Sequence, residues 1–316
     1  MSQPQPRPTR DGFGEELVEL GYEDEKIIVF SADLEDSTRA EYFKFKFPNR
    51  FYNVGIAEQN MVGIAAGLAK EGFTTFVTSF AVFLTNRAYD FIRISVCYSN
   101  LNVKLCASHA GVTVGEDGAT AQSLEDVAIM SVLPNMRVLC PVDYFEARRI
   151  TRFVANEYGP FYVRLSRAPY PIITSESDRF EFGKASVLEE GEDLTIISYG
   201  ITVSESLKAA EELRKEGIST RVVNMSTIKP FDEKIVLRSA EETGAILVVE
   251  EHEITNGLGS MIARFLATKR PTPMEFIAVN DEFGVSGKPY ELLEYFGLDW
   301  KNIVQVSKKL LKRKKI

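Results

Sequence analysis

One carboxylate, Glu58, interrupts a run of Gly, Ile, Ala and Met residues at the point where a predicted strand gives way to a predicted helix. An acid in the first turn of a helix can simply complement the helix dipole, which stabilises the helix by about 0.3–1 kcal/mol. A carboxyl group in a dry, apolar pocket can instead share a proton with a bound heterocycle, which would be catalysis. Periodicity alone favours the first interpretation, so the surrounding residues have to decide.

A second candidate site is a loop at residues 109–120, which contains three glycines and follows a predicted strand. His109 opens the loop, where a histidine can either bond the backbone or face a substrate. Asp117 stands in a Gly-Glu-Asp-Gly run, where Asp-Gly is also a common turn. Phe80 and Phe83 end another predicted strand, so they are either ordinary core residues or the wall of a ligand pocket.

The sequence resembles the transketolase family of thiamin-diphosphate enzymes. Each matching segment is short, but their order and spacing agree with the family, and a less specific likeness covers most of the remaining chain. The segments are residues 55–59 (Gly-Ile-Ala-Glu-Gln), Phe80 with Phe83, residues 108–111 (Ser-His-Ala-Gly), residues 114–118 (Val-Gly-Glu-Asp-Gly) and residues 164–167 (Arg-Leu-Ser-Arg).

The resemblance implies a site for the pyrimidine half of thiamin diphosphate. In this family a glutamic acid hydrogen-bonds a ring nitrogen of the cofactor, whose own amino group then becomes the base for the thiazolium carbon. Glu58 matches that glutamate and is the predicted catalytic and cofactor-binding residue. Phe80 and Phe83 match the aromatic pair that holds the ring, and the resemblance places Ile56 and Asp33 near the cofactor as well.

The resemblance also implies a sugar-phosphate substrate. His109 matches a histidine that faces the substrate oxygen atoms, so it is predicted to be catalytic and substrate-binding, and Asp117 matches an aspartate that reads a sugar hydroxyl. Arg167 matches a phosphate-binding arginine, and Arg10 and Ser37 match the other phosphate contacts. Arginine suits this role because its planar fork of donors fits a phosphate group.

Two features depart from transketolase itself. Four residues after Asp117, where the family usually has a second histidine, this chain has Ala121, which can neither donate a hydrogen bond from its side chain nor transfer a proton. Arg87 resembles a phosphate ligand of the deoxyxylulose-phosphate synthases. Three alternatives therefore stay open: a subunit of such a synthase, the beta subunit of a 2-oxo acid dehydrogenase, and a non-catalytic α/β assembly module with Glu58 in solvent.

The parts that hold the diphosphate and its metal are missing from this chain. The family supplies them from another domain with a Gly-Asp-Gly segment, which this sequence lacks, and a single-chain transketolase is about twice as long. The resemblance therefore implies the C-terminal half of a split transketolase that works with an N-terminal diphosphate-binding subunit. That subunit would hold most of the Mg²⁺ or Ca²⁺, and two copies of each subunit would form a heterotetramer. We assign no metal ligand to this chain.

These residues must be positioned by strands that alternate with helices along the chain. The predicted strands are nearly continuous apolar runs, which is typical of parallel sheets covered on both faces. The predicted fold is two consecutive α/β domains, each with a mostly parallel sheet flanked by helices. We expect a disordered lead at residues 1–8, a pyrimidine-binding domain at 9–170, a linker at 171–190 and a transketolase C-terminal-like domain at 191–316. Helices are expected at residues 14–20 and 87–96, among others.

Composition narrows the functional classes. A net charge of −8 argues against nucleic acid as the main partner. The six basic residues among the last ten are interpreted as a solvated, partly frayed helix end. Three cysteines without close spacing indicate buried thiols in a reducing compartment, so the expected location is cytoplasmic. No apolar run reaches the roughly 18 residues that cross a bilayer, and residues 1–8 do not resemble a signal peptide.

Overall fold

The computed structural model describes residues 5–314. Its first half begins with α1 (Thr9–Glu23), β1 (Ile27–Ser31), α2 (Glu35–Thr38), α3 (Glu41–Lys46), β2 (Phe51–Asn53), α4 (Glu58–Lys70), β3 (Thr74–Phe80), α5 (Ala81–Arg87) and α6 (Tyr89–Phe91). A π-helical segment (Ile92–Tyr98), β4 (Val103–Ser108), α7 (Asp126–Ser131), β5 (Arg137–Leu139), α8 (Tyr144–Asn156) and β6 (Phe161–Arg164) complete it.

The second half starts at an edge strand and ends in a long helix. It consists of β7 (Ser186–Glu189), β8 (Leu194–Ser198), α9 (Thr202–Lys215), β9 (Thr220–Asn224), β10 (Thr227–Lys229), α10 (Glu233–Glu242), β11 (Ile246–Glu253), α11 (Leu258–Lys269), β12 (Met274–Val279), α12 (Pro289–Tyr295) and α13 (Trp300–Lys314).

The strands form two sheets, with the orders β10-β5-β6-β4-β3-β1-β2 and β12-β11-β8-β9-β7. Neighbouring strands are parallel throughout, except that β10 runs antiparallel to β5 and β7 runs antiparallel to β9. The central strands β1, β3, β4 and β6 are buried along almost their whole length, as the apolar runs of the sequence require. The predicted fold class of two mostly parallel α/β domains is confirmed.

The two sheets are joined by β10, which no sequence pattern predicted as a strand. This strand follows β9 of the second sheet but pairs with β5 of the first sheet, opposite Val138 and Leu139. The backbone N–H of Cys140 also donates to the carbonyl of Ser226 at 2.8 Å. A short strand that crosses between sheets carries too few residues for its alternation to stand out in the sequence.

Helix α1 is longer than the predicted helix at residues 14–20 and begins at Thr9. Gly12 lies in the added N-terminal part and permits a close approach to α8, because a Cβ at this position would lie 2.4 Å from the Tyr144 carbonyl oxygen. Tertiary packing against α8 therefore overrides the low helix propensity of glycine. The helix expected at residues 87–96 is instead the short α6 followed by the π-helical segment, which ends with a bond from Leu101 N–H to the Val96 carbonyl at 3.0 Å.

The described residues near each end of the chain, from residue 5 and up to residue 314, are well anchored. Residues 1–4 of the expected disordered lead lie outside the described residues, but Arg7 exchanges two backbone hydrogen bonds with Tyr170, at 3.1 and 3.0 Å. Residues 307–314 continue α13, as expected of a helix end, and residues 312–314 are exposed, whereas Leu310 is completely buried. Lys314 Nζ donates to the Thr243 carbonyl at 2.7 Å. The pattern of buried apolar residues, not the charge of the tail, decides the fold here.

Candidate active site

The candidate residues converge at the carboxyl ends of the strands in the first sheet. Asp33 follows β1, Glu58 follows β2, Phe80 ends β3 and His109 follows β4. Parallel strands present their carboxyl ends along one edge of a sheet, which is where α/β proteins form their ligand sites. Alternating strands and helices therefore explain why residues so distant in sequence meet.

Glu58 is the first residue of α4, yet its side chain is only 2% exposed. Ser79 Oγ donates a hydrogen bond to its Oε1 at 3.2 Å. Arg87 Nη1 lies 3.1 Å from Oε1 and 3.2 Å from Oε2, so the guanidinium faces both carboxylate oxygens. The interpretation of Glu58 as a solvated helix-start acid is therefore wrong. Sequence reasoning missed Ser79, because a hydroxyl at the end of a strand gives no signal of what it faces.

Three aromatic rings form a stack that Arg87 links to this carboxylate. The Phe80 and Phe83 rings stack with centroids 5.4 Å apart, and the Phe80 and His109 rings stack with centroids 3.6 Å apart. The Arg87 guanidinium carbon lies 4.1 Å from the centroid of the Phe83 ring, which is within the range of a cation–π contact. A stack of rings linked in this way to a buried carboxyl group is suited to a planar, hydrogen-bonding heterocycle.

His109 is held as a neutral imidazole. Ser108 Oγ lies 2.8 Å from its Nδ1, and the residue is only 2% exposed, with a left-handed φ of 60°. Burial, and then the positive charges of Arg10, Arg167 and Arg39, lower the pKa of His109 from 6.5 to about 2. An imidazole in this state can donate or accept one hydrogen bond at its second nitrogen but carries no charge near neutral pH.

The arginines that act on His109 form a positively charged group, in which Arg39 pairs with Asp11 at 2.9 Å and Arg167 with the exposed Glu116 at 3.0 Å. Arg10 Nη1 donates to the Ser37 carbonyl at 2.7 Å, while its buried Nε has no hydrogen-bond partner in the described structure. Burial, and then Arg39 and Arg167, lower the pKa of Arg10 to about 10. Arg167 Nη1 donates to the Val114 carbonyl at 2.6 Å. Such a group suits a polyanionic ligand, and sequence reasoning missed Arg39, which lies just after the short helix α2.

Three other predicted site residues face solvent. Asp33 is exposed, with a φ of 62°, and its carboxylate accepts a hydrogen bond from Asn53 Nδ2 at 3.1 Å. Ile56 is 75% exposed in the turn before α4, and Asp117 is exposed in the glycine-rich loop. The structure thus brings Glu58, Phe80, Phe83 and His109 together, whereas Asp33, Ile56 and Asp117 make no described contact with that cluster.

A cavity of about 440 Å³ lies between α5, the glycine-rich loop and the segment after β12. Its walls include Val82, which lies between Phe80 and Phe83 in the sequence. They also include Ala119, Thr120 and Gln122, which flank Ala121 in the sequence. Ala121 itself is buried, at 7% exposure. The position at which the chain departs from the family pattern is therefore next to this cavity.

The glycine-rich loop is fixed by the second domain. Glu251 in β11 accepts a hydrogen bond from the Thr113 N–H at 2.6 Å, and burial raises the pKa of this carboxyl group against the opposing effect of Arg164. His252 is fully buried and accepts a hydrogen bond from the Ala128 N–H at 3.3 Å, so it joins β11 to α7. The second sheet therefore serves as a platform for the loop that carries His109.

Over residues 5–314, no three His, Cys, Asp or Glu side chains are grouped so that they could hold a metal ion. Within the same range, no helix is both long and apolar enough to cross a bilayer.

Comparisons with known proteins agree along the whole chain. A family model described as the transketolase pyrimidine-binding domain matches residues 5–172, and one described as the transketolase C-terminal domain matches residues 183–303. A putative transketolase C-terminal section from Methanocaldococcus jannaschii is 47% identical over 299 residues, covering 94% of both chains. A 6-deoxy-6-sulfo-D-fructose transketolase subunit, SqwH, from Clostridium sp. is 43% identical, covering 96% of this chain and 95% of that one. A solved structure described as a split gene transketolase, an inactive beta4 tetramer, has a TM-score of 0.89 and 44% identity, covering 98% of this chain and 99% of that one.

Proposed function

The chain belongs to the transketolase family, and from that premise we propose that it is the pyrimidine-binding subunit of a split, thiamin-diphosphate-dependent transketolase. Together with a separate diphosphate-binding subunit, it would transfer a two-carbon ketol unit between sugar phosphates. The observation that carries the proposal is the buried Glu58 carboxylate at the start of α4, which Arg87 links to the stacked rings of Phe83 and Phe80.

The residues at this edge of the sheet fit the pyrimidine half of the cofactor. When bound, thiamin diphosphate supplies a thiazolium carbanion that attacks carbonyl groups. Glu58 would hold and release a proton at a ring nitrogen, and its burial keeps water away from that exchange. Phe80 and Phe83 would orient the ring by stacking. Ile56 and Asp33, which lie in solvent here, would line the outer side of the pocket next to the partner subunit.

His109 and the positively charged group would bind the substrate. A neutral His109 can donate a hydrogen bond to a sugar oxygen without competing with the nearby arginines for a proton. Arg10 and Arg167 would neutralise the phosphate group, with Ser37 as a further contact and Asp117 as the residue that reads a hydroxyl group. The buried Nε of Arg10, which lacks a partner in the described structure, supports a ligand at this place.

The partner subunit would supply the diphosphate anchor and most of the ligands for Mg²⁺ or Ca²⁺. Two observations support this division of labour: the sequence has no Gly-Asp-Gly segment, and the relatives described above are themselves C-terminal sections or subunits of similar length. We further propose that two copies of each subunit assemble, so that this chain also contacts itself, and that the enzyme works in the cytoplasm on the sugar phosphates of the pentose phosphate pathway.

Ala121 and the adjoining cavity suggest how the substrate range could differ from that of other transketolases. The missing histidine would leave one sugar hydroxyl without its usual partner, and the cavity offers room for a larger group nearby. One relative acts on a sulfonated sugar, 6-deoxy-6-sulfo-D-fructose, according to its description. We therefore propose ketose phosphates as the first substrates to test and anionic analogues as the second.

The test is to mix this chain with the product of its neighbouring gene, thiamin diphosphate and Mg²⁺. Ketol transfer from xylulose phosphate to ribose phosphate should appear in the mixture and in neither subunit alone. A folded mixture that binds the cofactor but transfers no ketol unit to any sugar phosphate would count against the transketolase assignment. Co-purification with an acyltransferase core, or condensation of pyruvate with glyceraldehyde phosphate, would favour the dehydrogenase or synthase alternative.

A further inference from the structure

Arg87 makes two contacts at once. Its Nη1 lies within 3.2 Å of both Glu58 oxygens, and its guanidinium carbon lies 4.1 Å from the centroid of the Phe83 ring. The guanidinium is planar and carries hydrogen-bond donors in its plane. A flat group that bonds the buried carboxylate while lying against an aromatic ring makes the same pair of contacts that the proposed function assigns to the aminopyrimidine ring.

We propose that Arg87 is a placeholder for the pyrimidine ring and leaves this position when the cofactor binds. The inference rests on the proposed function, because it requires that Glu58 and Phe83 bind the ring. Both Glu58 oxygens already face the guanidinium, so a ring nitrogen can reach the carboxyl group only after Arg87 has moved. Arg87 is thereby a residue that sets the affinity for the cofactor.

The position of Arg87 permits such a movement. It is the last residue of α5, and its side chain is 47% exposed, whereas Glu58 is 2% exposed. A long side chain at a helix end can turn toward solvent by changing rotamers, without any shift of the backbone. Glu58, in contrast, is fixed by α4 and by the hydrogen bond from Ser79.

A placeholder also explains how the subunit tolerates the buried Glu58 carboxylate before the cofactor binds. A charged group that loses its only charged partner inside a protein is strongly destabilising, whereas removal of both partners is often harmless. Among the described residues, Arg87 is the one basic side chain within ion-pair distance of Glu58. This contact differs from the role of phosphate ligand that the resemblance to the synthases suggested, since the guanidinium is directed at a carboxylate.

The first experiment measures the thermal unfolding of the isolated subunit. Arg87→Met keeps the long stem against Phe83 but removes the charge, and it should lower Tm by about 5 °C. The double variant Glu58→Gln with Arg87→Met should regain most of that loss. Arg214→Met is the matched control, because Arg214 is 59% exposed and also pairs with a carboxylate, and its Tm should change by less than about 1 °C. If Arg87→Met and Arg214→Met behave alike, Arg87 does not stabilise the empty site.

The second experiment measures binding of thiamin diphosphate with Mg²⁺ to the complex of both subunits by calorimetry. Removal of a competing side chain raises the fraction of sites that can bind, so Arg87→Met should bind about threefold to thirtyfold more tightly than the wild type. Unchanged or weaker binding by Arg87→Met, with normal binding by the wild type and Arg214→Met, would overturn the inference alone. A wild-type complex that binds no thiamin diphosphate would refute the proposed function, and the inference with it.

Discussion

The Phe80 and His109 rings lie face to face, with centroids 3.6 Å apart and planes 15° from parallel. One residue ends β3 and the other follows β4, so two neighbouring strands place the proposed cofactor wall and the proposed substrate histidine in direct contact. No further ring can enter between them. A substitution at either residue is therefore expected to affect both halves of the site.

Glu58→Gln should assemble with the partner subunit but lose most of its ketol transfer. The amide keeps the shape of the side chain and can still bond Ser79, but it cannot hold and release a proton. The loss in kcat should be about a hundredfold to ten-thousandfold. Glu71→Gln, at the exposed end of the same helix, should keep full activity. Steady-state kinetics of both variants in the mixture measures this, and full turnover by Glu58→Gln would remove Glu58 from the mechanism.

Arg167→Ala should weaken the binding of phosphorylated substrates and leave the binding of the cofactor unchanged. A lost hydrogen bond to a charged group corresponds to about a tenfold to hundredfold rise in KM for the sugar phosphate. The Kd of thiamin diphosphate and the KM of an unphosphorylated ketose should stay the same. Arg270→Ala, an exposed arginine on the second domain, serves as the control. Equal losses for substrate and cofactor would show that Arg167 has a general structural role instead.

His109 should make the subunit less stable as the solution becomes acidic. Burial and nearby arginines lower the pKa of His109 from 6.5 to about 2, so below pH 6.5 the unfolded chain binds a proton that the native chain does not. The free energy of unfolding therefore falls as the pH falls through that window, by about 1 kcal/mol between pH 6.5 and 5.5.

Urea unfolding of His109→Gln across the same range checks this assignment. Between pH 6.5 and 5.5, the free energy of unfolding of the variant should fall by about 1 kcal/mol less than that of the wild type. Between pH 7.5 and 8.5, the free energies of unfolding of the two proteins should change with pH in the same way. Parallel curves in the acidic window as well would mean that the native histidine takes up its proton normally.

Two glycine substitutions should have opposite effects on the isolated subunit. Gly111 has a φ of 82°, and a Cβ there would lie 2.2 Å from the Glu251 carboxyl carbon, so Gly111→Ala should cost about 3 kcal/mol or more. Gly67 lies inside α4, and a Cβ there would meet nothing within 4 Å. Gly67→Ala should therefore stabilise the subunit by about 0.5–1 kcal/mol. Chemical denaturation measures both, and a destabilised Gly67→Ala variant would contradict the open space around this position.

Much of the fold could be predicted from the sequence because apolar runs and turn residues repeat at the spacing of strands and helices. The course of β1, β3, β4 and β6 follows from such runs alone. Two kinds of element escaped. Helix α1 contains Gly12, which allows close contact with α8, far away in sequence. Strand β10 is too short to show an alternating pattern and pairs with β5, which is also far away in sequence. Both depend on tertiary partners that local reasoning cannot supply.

The site was predicted from motifs, and the motifs located Glu58, Phe80, Phe83 and His109 in one place. They gave no indication that Arg87 pairs with Glu58 or that Ser79 bonds it, because those contacts depend on where a helix ends and which way a strand turns its hydroxyl. They also placed Asp33, Ile56 and Asp117 in the pocket, and these residues face solvent in the single chain. In the proposed function the partner subunit completes the site, and one sequence alone does not contain that half.

The antiparallel pairing of β10 with β5 has a consequence for anyone who wishes to dissect this chain. Any cut between β7 and β10 would take away the strand that covers the outer edge of β5, and its N–H and C=O groups would then be open to another molecule. A fragment that ends there should self-associate through the exposed edge of β5. The seam between the two sheets is closed by a strand that belongs to one half by sequence and to the other by hydrogen bonding.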